Sequence, residues 1–166
     1  MGRIAFIDVE ASSLSQQGWP LEIVWGYSLE PASTRSLLVR PEPEWTDWDV
    51  RSWRVHRIDY RLCVSEGLSA EDVVGILEEA IRGAEVHSDH PPSDARWLDR
   101  LYEAAGRRRG WVLNPTDSLW PGRLLSEVSA AQAWADEVSP KRHRAGPDVR
   151  NLIATHMRLV GAAWCP

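Results

Sequence analysis

Residues 3–8 read Arg-Ile-Ala-Phe-Ile-Asp, and Glu10 follows two positions later. An apolar run of this length between polar neighbours predicts a buried strand. Along a strand, residues i and i+2 share a face. Asp8 and Glu10 therefore project together from one end of it. Two like charges held that close resist ionisation unless a cation lies between them. Oxygen-only donors suit a hard ion such as Mg²⁺ or Mn²⁺. The same pair also fits a strand end turning into solvent, and at this point both readings stand.

Two more apolar runs follow closely. Residues 21–29 (LEIVWGYSL) predict a strand with a bulge at Gly26, and residues 34–41 predict a third strand ended by Pro41. Their spacing predicts an antiparallel meander. Residues 41–59 are rich in Trp and charge without a clean period, which predicts a loop with a short helix. Ser69 opens a helix with Asp72 placed as in a capping box. Val73, Ile76, Leu77, Ala80 and Ile81 form its apolar stripe, and Gly83 stops it. Residues 84–89 predict a short strand. Ser93 is placed to cap the next helix, whose inner face is Trp97, Leu98, Leu101, Tyr102 and Ala105. A basic turn and a short strand occupy 107–115. Residues 118–139 are helical with a break near Pro121 and Gly122. The last helix is expected to start at Gly146 and Pro147 and to run through Val149, Leu152, Ile153, Met157 and Val160. Three strands followed by alternating helix and strand predict an α/β fold with a mixed sheet, in one domain over residues 1–166.

The formal net charge of −5 excludes a broad nonspecific grip on duplex nucleic acid, which needs extended positive charge. It leaves room for a short oligonucleotide held by a few groups and metal ions. Cys63 and Cys165 are far apart and make neither a disulfide framework nor a zinc site. They suit a reducing cytoplasm. Asp8 and Glu10 interrupt the place where a signal peptide would be apolar. No run is long enough to span a bilayer, so a cytoplasmic protein without a membrane partner is expected.

Two further acids stand where helices begin. Asp94 falls in HSDHPPSDARWL (87–98), after the short strand, and Asp148 falls in HRAGPD (143–148), five residues after His143. Singly, each is a first-turn acid of the kind helix dipoles favour. Taken in order, the set resembles the DEDDh exonucleases of the ribonuclease H-like superfamily, a family that includes ribonuclease T, oligoribonuclease and polymerase proofreading subunits. Glu10-Ala11-Ser12-Ser13-Leu14 parallels that family's Glu-x-Thr-Gly-Leu, with Ser12 for Thr and Ser13 for Gly. Asp94-Ala95-Arg96-Trp97-Leu98 parallels its Asp-x-x-Phe-Leu. His143-Arg144-Ala145-Gly146-Pro147-Asp148 matches its His-x-Ala-x-x-Asp. The resemblance covers nearly the whole chain.

The resemblance implies a ribonuclease H-like fold, with a central five-stranded mixed sheet of three antiparallel and two parallel strands flanked by helices. It implies a 3′–5′ exonuclease that cuts single-stranded RNA or DNA, short or at 3′ overhangs, and releases nucleoside 5′-monophosphates. Asp8, Glu10, Asp94 and Asp148 would hold two Mg²⁺ or Mn²⁺ ions, and Asp89 is the alternative to Asp94. His143 would be the general base. Leu14 would wedge against terminal bases, and the backbone near Ser12 and Ser13 would meet the 3′-terminal sugar. Arg144, in a basic cluster with Lys141 and Arg142, is the candidate phosphate contact. Several relatives are dimers, so a homodimer is compatible with it. A nuclease subunit of a larger assembly and an inactive binding member are the competing readings.

Other residues carry weaker signals. Trp19, Trp45, Trp48 and Trp53 are placed to pack or to stack a base, with packing the default. Arg107, Arg108 and Arg109 read as a solvated turn. His56, His87 and His90 are expected at the surface or in loops.

Overall fold

The computed structural model describes residues 2–141 and 144–164. His143, the expected general base, lies outside the described residues, as do Arg142 and Cys165. Three strands, β1 (Arg3–Ala11), β2 (Pro20–Tyr27) and β3 (Glu30–Leu38), form the predicted meander. Two short helices, α1 (Val50–His56) and α2 (Tyr60–Glu66), lead to α3 (Ala70–Ala80). Strand β4 (Ala84–Ser88), helix α4 (Pro91–Ala104) and strand β5 (Leu113–Pro115) follow, then α5 (Leu125–Val138) and α6 (Ala145–Val160). The sheet order is β3-β2-β1-β4-β5, with β4 and β5 joining in parallel. This is the expected mixed sheet of three antiparallel and two parallel strands.

Both sheet faces are covered, so β1 is apolar at consecutive positions rather than alternate ones. Ala5, Ile7, Val9 and Ala11 face the larger core, with Leu21, Ile23 and Trp25 of β2 and the inner faces of α3 and α4. Phe6 and Val24 face a smaller core made with Val149, Leu152, Ile153 and Met157 of α6. Asp8 and Glu10 continue the Phe6 face, so the pleat aims both carboxylates at α6.

Helix α6 can lie close to the sheet because residue 26 has no side chain. A Cβ on Gly26 would stand 2.9 Å from Ile153 Cδ1 and 3.2 Å from Val149 Cγ1. The same residue marks a register shift in the β2–β3 pairing, between Trp25 and Tyr27, as the strand pattern anticipates.

Local signals account for several helix starts and miss others. Ser69 caps α3, accepting from the Asp72 N–H at 3.2 Å. Helix α4 begins earlier than Ser93 suggests. His90 is its N-cap, and the two prolines Pro91 and Pro92 occupy the first turn, where their missing N–H groups lose nothing. Helix α6 likewise starts at Ala145, with Arg144 as N-cap. Helix α2 has no counterpart in the sequence reading; its start is fixed by Asp59, whose side chain accepts from the Arg61 N–H at 2.8 Å. Among the described residues, no helix is long and apolar enough to cross a membrane.

Candidate functional site

Strand β1 and helix α6 together build a carboxylate cradle. One carboxylate oxygen from each of Asp8, Glu10 and Asp148 lies within 4.8 Å of the other two. Asp148 reaches the strand from the first turn of α6, so two elements far apart in sequence converge on one point. Asp94, in the first turn of α4, is 2% exposed and accepts a hydrogen bond from the Ser88 hydroxyl. It lies outside the three-way group but near enough to Asp8 for their charges to interact.

The electrostatics show a site short of positive charge. Burial, then the charges of Asp148 and Asp89, push the Asp8 carboxyl up to about 7, against the opposing pull of Lys141. Glu10 rises further, to about 9, through burial and then Asp8, Asp148 and Glu22. Asp94 is raised well above the carboxylate range by burial and then Asp8, with its Ser88 hydrogen bond opposing. Carboxylates gathered in this way favour protons or cations. An oxygen-only donor set from three or four carboxylates fits a hard divalent ion such as Mg²⁺ or Mn²⁺. Asp89, the alternative to Asp94, is engaged elsewhere. Lys141 Nζ donates to its Oδ2 at 2.5 Å, and Thr116 donates to its Oδ1 at 3.4 Å.

Beyond Ala11 the chain enters a tightly held loop. Ser12 is fully buried. Its N–H donates to the Trp19 carbonyl at 2.9 Å, its carbonyl accepts from the Asp49 N–H at 3.0 Å, and its hydroxyl accepts from the Trp19 N–H at 3.1 Å. Ser13 is nearly as buried, and its hydroxyl donates to Asp47. Ser15 donates to the same Asp47 oxygen at 2.6 Å. Arg96 on α4 donates to the Leu14 carbonyl at 3.1 Å. The Leu14 side chain itself is 75% exposed. It borders a cleft of about 670 Å³, lined also by Ser13, Ser15, Asp47, Trp48 and Arg51.

The tryptophans divide between these surroundings. Trp19 and Trp45 are core residues, with ring centroids stacked 5.6 Å apart. Trp48 is partly buried and borders the cleft. The basic turn is paired, with Arg107 on Glu78 at 2.5 Å and Arg109 on Asp99 at 2.8 Å. Arg144 turns its Nε toward Glu22 Oε2 at 3.5 Å. Two of the three histidines expected at the surface are buried. His87 donates from Nδ1 to the Pro115 carbonyl at 3.1 Å, and His56 accepts at Nδ1 from the Ile58 N–H at 3.0 Å. A neutral imidazole tolerates burial once a ring nitrogen is satisfied. Sequence reasoning also missed Asp47, Glu22 and the Lys141–Asp89 pair. A lone acid inside the apolar run of residues 21–25 was the available signal for Glu22.

A five-stranded mixed sheet of this order, three strands antiparallel and two parallel and flanked by helices, is a ribonuclease H-like fold. No protein-family model matches the chain, and no curated protein matches it. Solved structures do. Exonuclease I from E. coli, in complex with a dT13 oligonucleotide, matches with a TM-score of 0.69 at 9% sequence identity, over 96% of this chain and 41% of that one. A moderately thermophilic Exonuclease I from Methylocaldum szegediense matches with a TM-score of 0.68 at 16% identity, over 96% of this chain and 40% of that one. Exonuclease X, in complex with 5′ overhanging duplex DNA, matches with a TM-score of 0.63 at 22% identity, over 98% of this chain and 94% of that one. The chain thus spans about two fifths of the Exonuclease I chains and nearly all of the Exonuclease X chain. At these identities the likeness is one of fold.

Proposed function

We propose that this protein is a metal-dependent 3′–5′ exonuclease that hydrolyses single-stranded nucleic acid, or 3′ overhangs, to nucleoside 5′-monophosphates. The observation that carries the reading is the convergence of Asp8, Glu10 and Asp148 within 4.8 Å, in a fold shared with solved exonucleases that bind DNA.

Asp8, Glu10, Asp94 and Asp148 hold two Mg²⁺ or Mn²⁺ ions in this reading. Such ions, when bound, neutralise the cradle and stabilise the attacking and leaving oxygens of an in-line displacement at phosphorus. His143 immediately precedes the N-cap of α6 and takes a proton from the attacking water. An imidazole titrates close to neutral pH and suits that task. Arg144 contacts a substrate phosphate. Leu14 stacks against the terminal base from its rigid loop. The backbone near Ser12 and Ser13, whose side chains are turned into the loop, meets the 3′-terminal sugar.

Incubation with 3′- and 5′-labelled single-stranded RNA and DNA, in Mn²⁺, Mg²⁺ or EDTA, tests the reading. The expected result is a ladder shortening from the 3′ end only with metal, abolished by Asp8→Ala. No product from any of these substrates, with metal present, overturns it.

A further inference from the structure

The carboxylate cradle has a neighbour that it does not use. Glu22 stands opposite Glu10 in the β1–β2 register, and opposed residues of an antiparallel pair share a face. A second carboxylate there is unfavourable unless a cation accompanies it. Glu22 is only 6% exposed. Ser36 donates to its Oε1 at 2.6 Å, while its Oε2 is buried without a hydrogen bond. The Arg144 Nε, 3.5 Å from that oxygen, is likewise buried without a hydrogen bond. His56 is 2% exposed. Its Nδ1 accepts from Ile58, so its proton sits on Nε2, which faces the Ala11 backbone. The charge of Arg144 acts on His56 as well as on Glu10.

Arg144 is therefore two-sided. Its Nε is buried, yet its side chain as a whole is 41% exposed. A guanidinium is a planar fork that can bond one partner along its Nε edge and another through its terminal nitrogens. We propose that Glu22 is a positioning residue that, with Ser36 beside it, seats the inner edge of Arg144 so that its outer edge meets a substrate phosphate next to Glu10. The inference rests on the exonuclease reading and extends it to a residue outside the family motifs. A lysine at position 144 would supply one point charge and could not serve both partners.

The test uses a short fluorescein-labelled oligothymidylate, bound in Ca²⁺ and cleaved in Mn²⁺, with Mn²⁺ binding alone measured by calorimetry. Glu22→Gln keeps the side-chain size and removes its charge. Glu22→Gln and Arg144→Lys are each expected to weaken oligonucleotide binding and raise KM by roughly 10- to 100-fold, the scale of a charge-assisted hydrogen bond. kcat and Mn²⁺ affinity stay near wild type. The double variant is expected to be no weaker than either single one, since both remove one interaction. Wild-type binding by Glu22→Gln, or effects of the two substitutions that add in full, overturns the proposal. Loss of Mn²⁺ affinity in Glu22→Gln also overturns it, by making Glu22 a ligand. A wild-type protein that neither binds nor cuts the oligonucleotide overturns the exonuclease reading itself, which a wild-type-like Glu22→Gln leaves standing.

Discussion

Two halves of one short run, residues 8–19, are held in opposite ways. At Asp8 and Glu10, partly buried carboxylates crowd together and their proton affinities rise. From Ser12 to Trp19, backbone and hydroxyl groups find partners, and the loop presents a single exposed leucine. The first half is unfavourable on its own and awaits a cation. The second is stable on its own and awaits only a surface to meet. The cradle thus gives up stability for ion binding, while the loop uses stability to hold Leu14 in place.

The largest effect should come from Asp8→Asn, which removes one cradle charge and nearly preserves shape. Activity is expected to fall by about 1,000-fold, since metal-ion stabilisation supplies several kcal/mol and each factor of ten is about 1.4 kcal/mol. Thermal stability measured in EDTA should rise, because a repelling charge has gone. A variant that loses activity and also melts lower in EDTA would break the contrast between the two halves.

The pH dependence of stability follows from the same crowding. The ordinary values are 3.8 for Asp8 and 4.5 for Glu10, and the folded values are about 7 and about 9. Between these limits the folded state holds more protons than the unfolded state, so stability falls as pH rises through the window. Between about pH 5 and pH 8 the metal-free protein is expected to lose on the order of 2 kcal/mol. That is less than the full shifts imply, because both carboxyls are partly open to water. Divalent ions bind the ionised cradle and should restore stability, by about 2.7 kcal/mol at a hundredfold excess over Kd. Melting curves at several pH values, with EDTA or Mn²⁺, check both signs. A metal-free melting temperature that climbs across this window contradicts the account.

Gly18→Ala probes the other half. A Cβ there would lie 2.3 Å from the Ser13 carbonyl oxygen, which is backbone and cannot swing aside. The expected loss is about 1–3 kcal/mol, the range for overpacking, and it should be the same with and without metal. A loss that depends on metal would mean that the loop and the cradle are one unit.

Much of this was legible in the sequence where local chemistry decides the outcome. The apolar runs place β1, β2 and β4, Ser69 starts α3, and the first-turn acids Asp94 and Asp148 sit where helix starts put them. The parts that were not legible are tertiary. Asp47 lies in an irregular Trp-rich stretch, and only folding brings it to Ser13, 34 residues away. Glu22 gains meaning from its register opposite Glu10, which no local pattern encodes. His56 carries no sign of burial, because an imidazole is equally at home in water. The start of α4 was misplaced for a different reason: Ser93 is a good cap by type, but Pro91 and Pro92 had already set helical φ angles upstream.

The smallest effect is expected at Ser13, where the exonuclease motif that this stretch resembles has glycine. Glycine is required where φ is positive or where another backbone comes close. Among the described residues, the non-glycine positions with positive φ are Leu29 and Arg57, so Ser13 needs no glycine for its own conformation. Its hydroxyl instead donates to Asp47 and accepts from the Ser15 N–H at 3.2 Å. Ser13→Ala removes these bonds and the 3.0 Å contact with the Ser15 hydroxyl, but Ser15 keeps its own bond to Asp47 at 2.6 Å. The expected loss is therefore about 0.5–1.5 kcal/mol, the net value of a typical hydrogen bond. Melting should reveal it, while Mn²⁺ affinity stays unchanged. Ser13→Gly should be worse than Ser13→Ala, since it frees the backbone beside Leu14 as well. If Ser13→Gly instead raises activity, the loop's rigidity limits access to the 3′ end rather than preparing it.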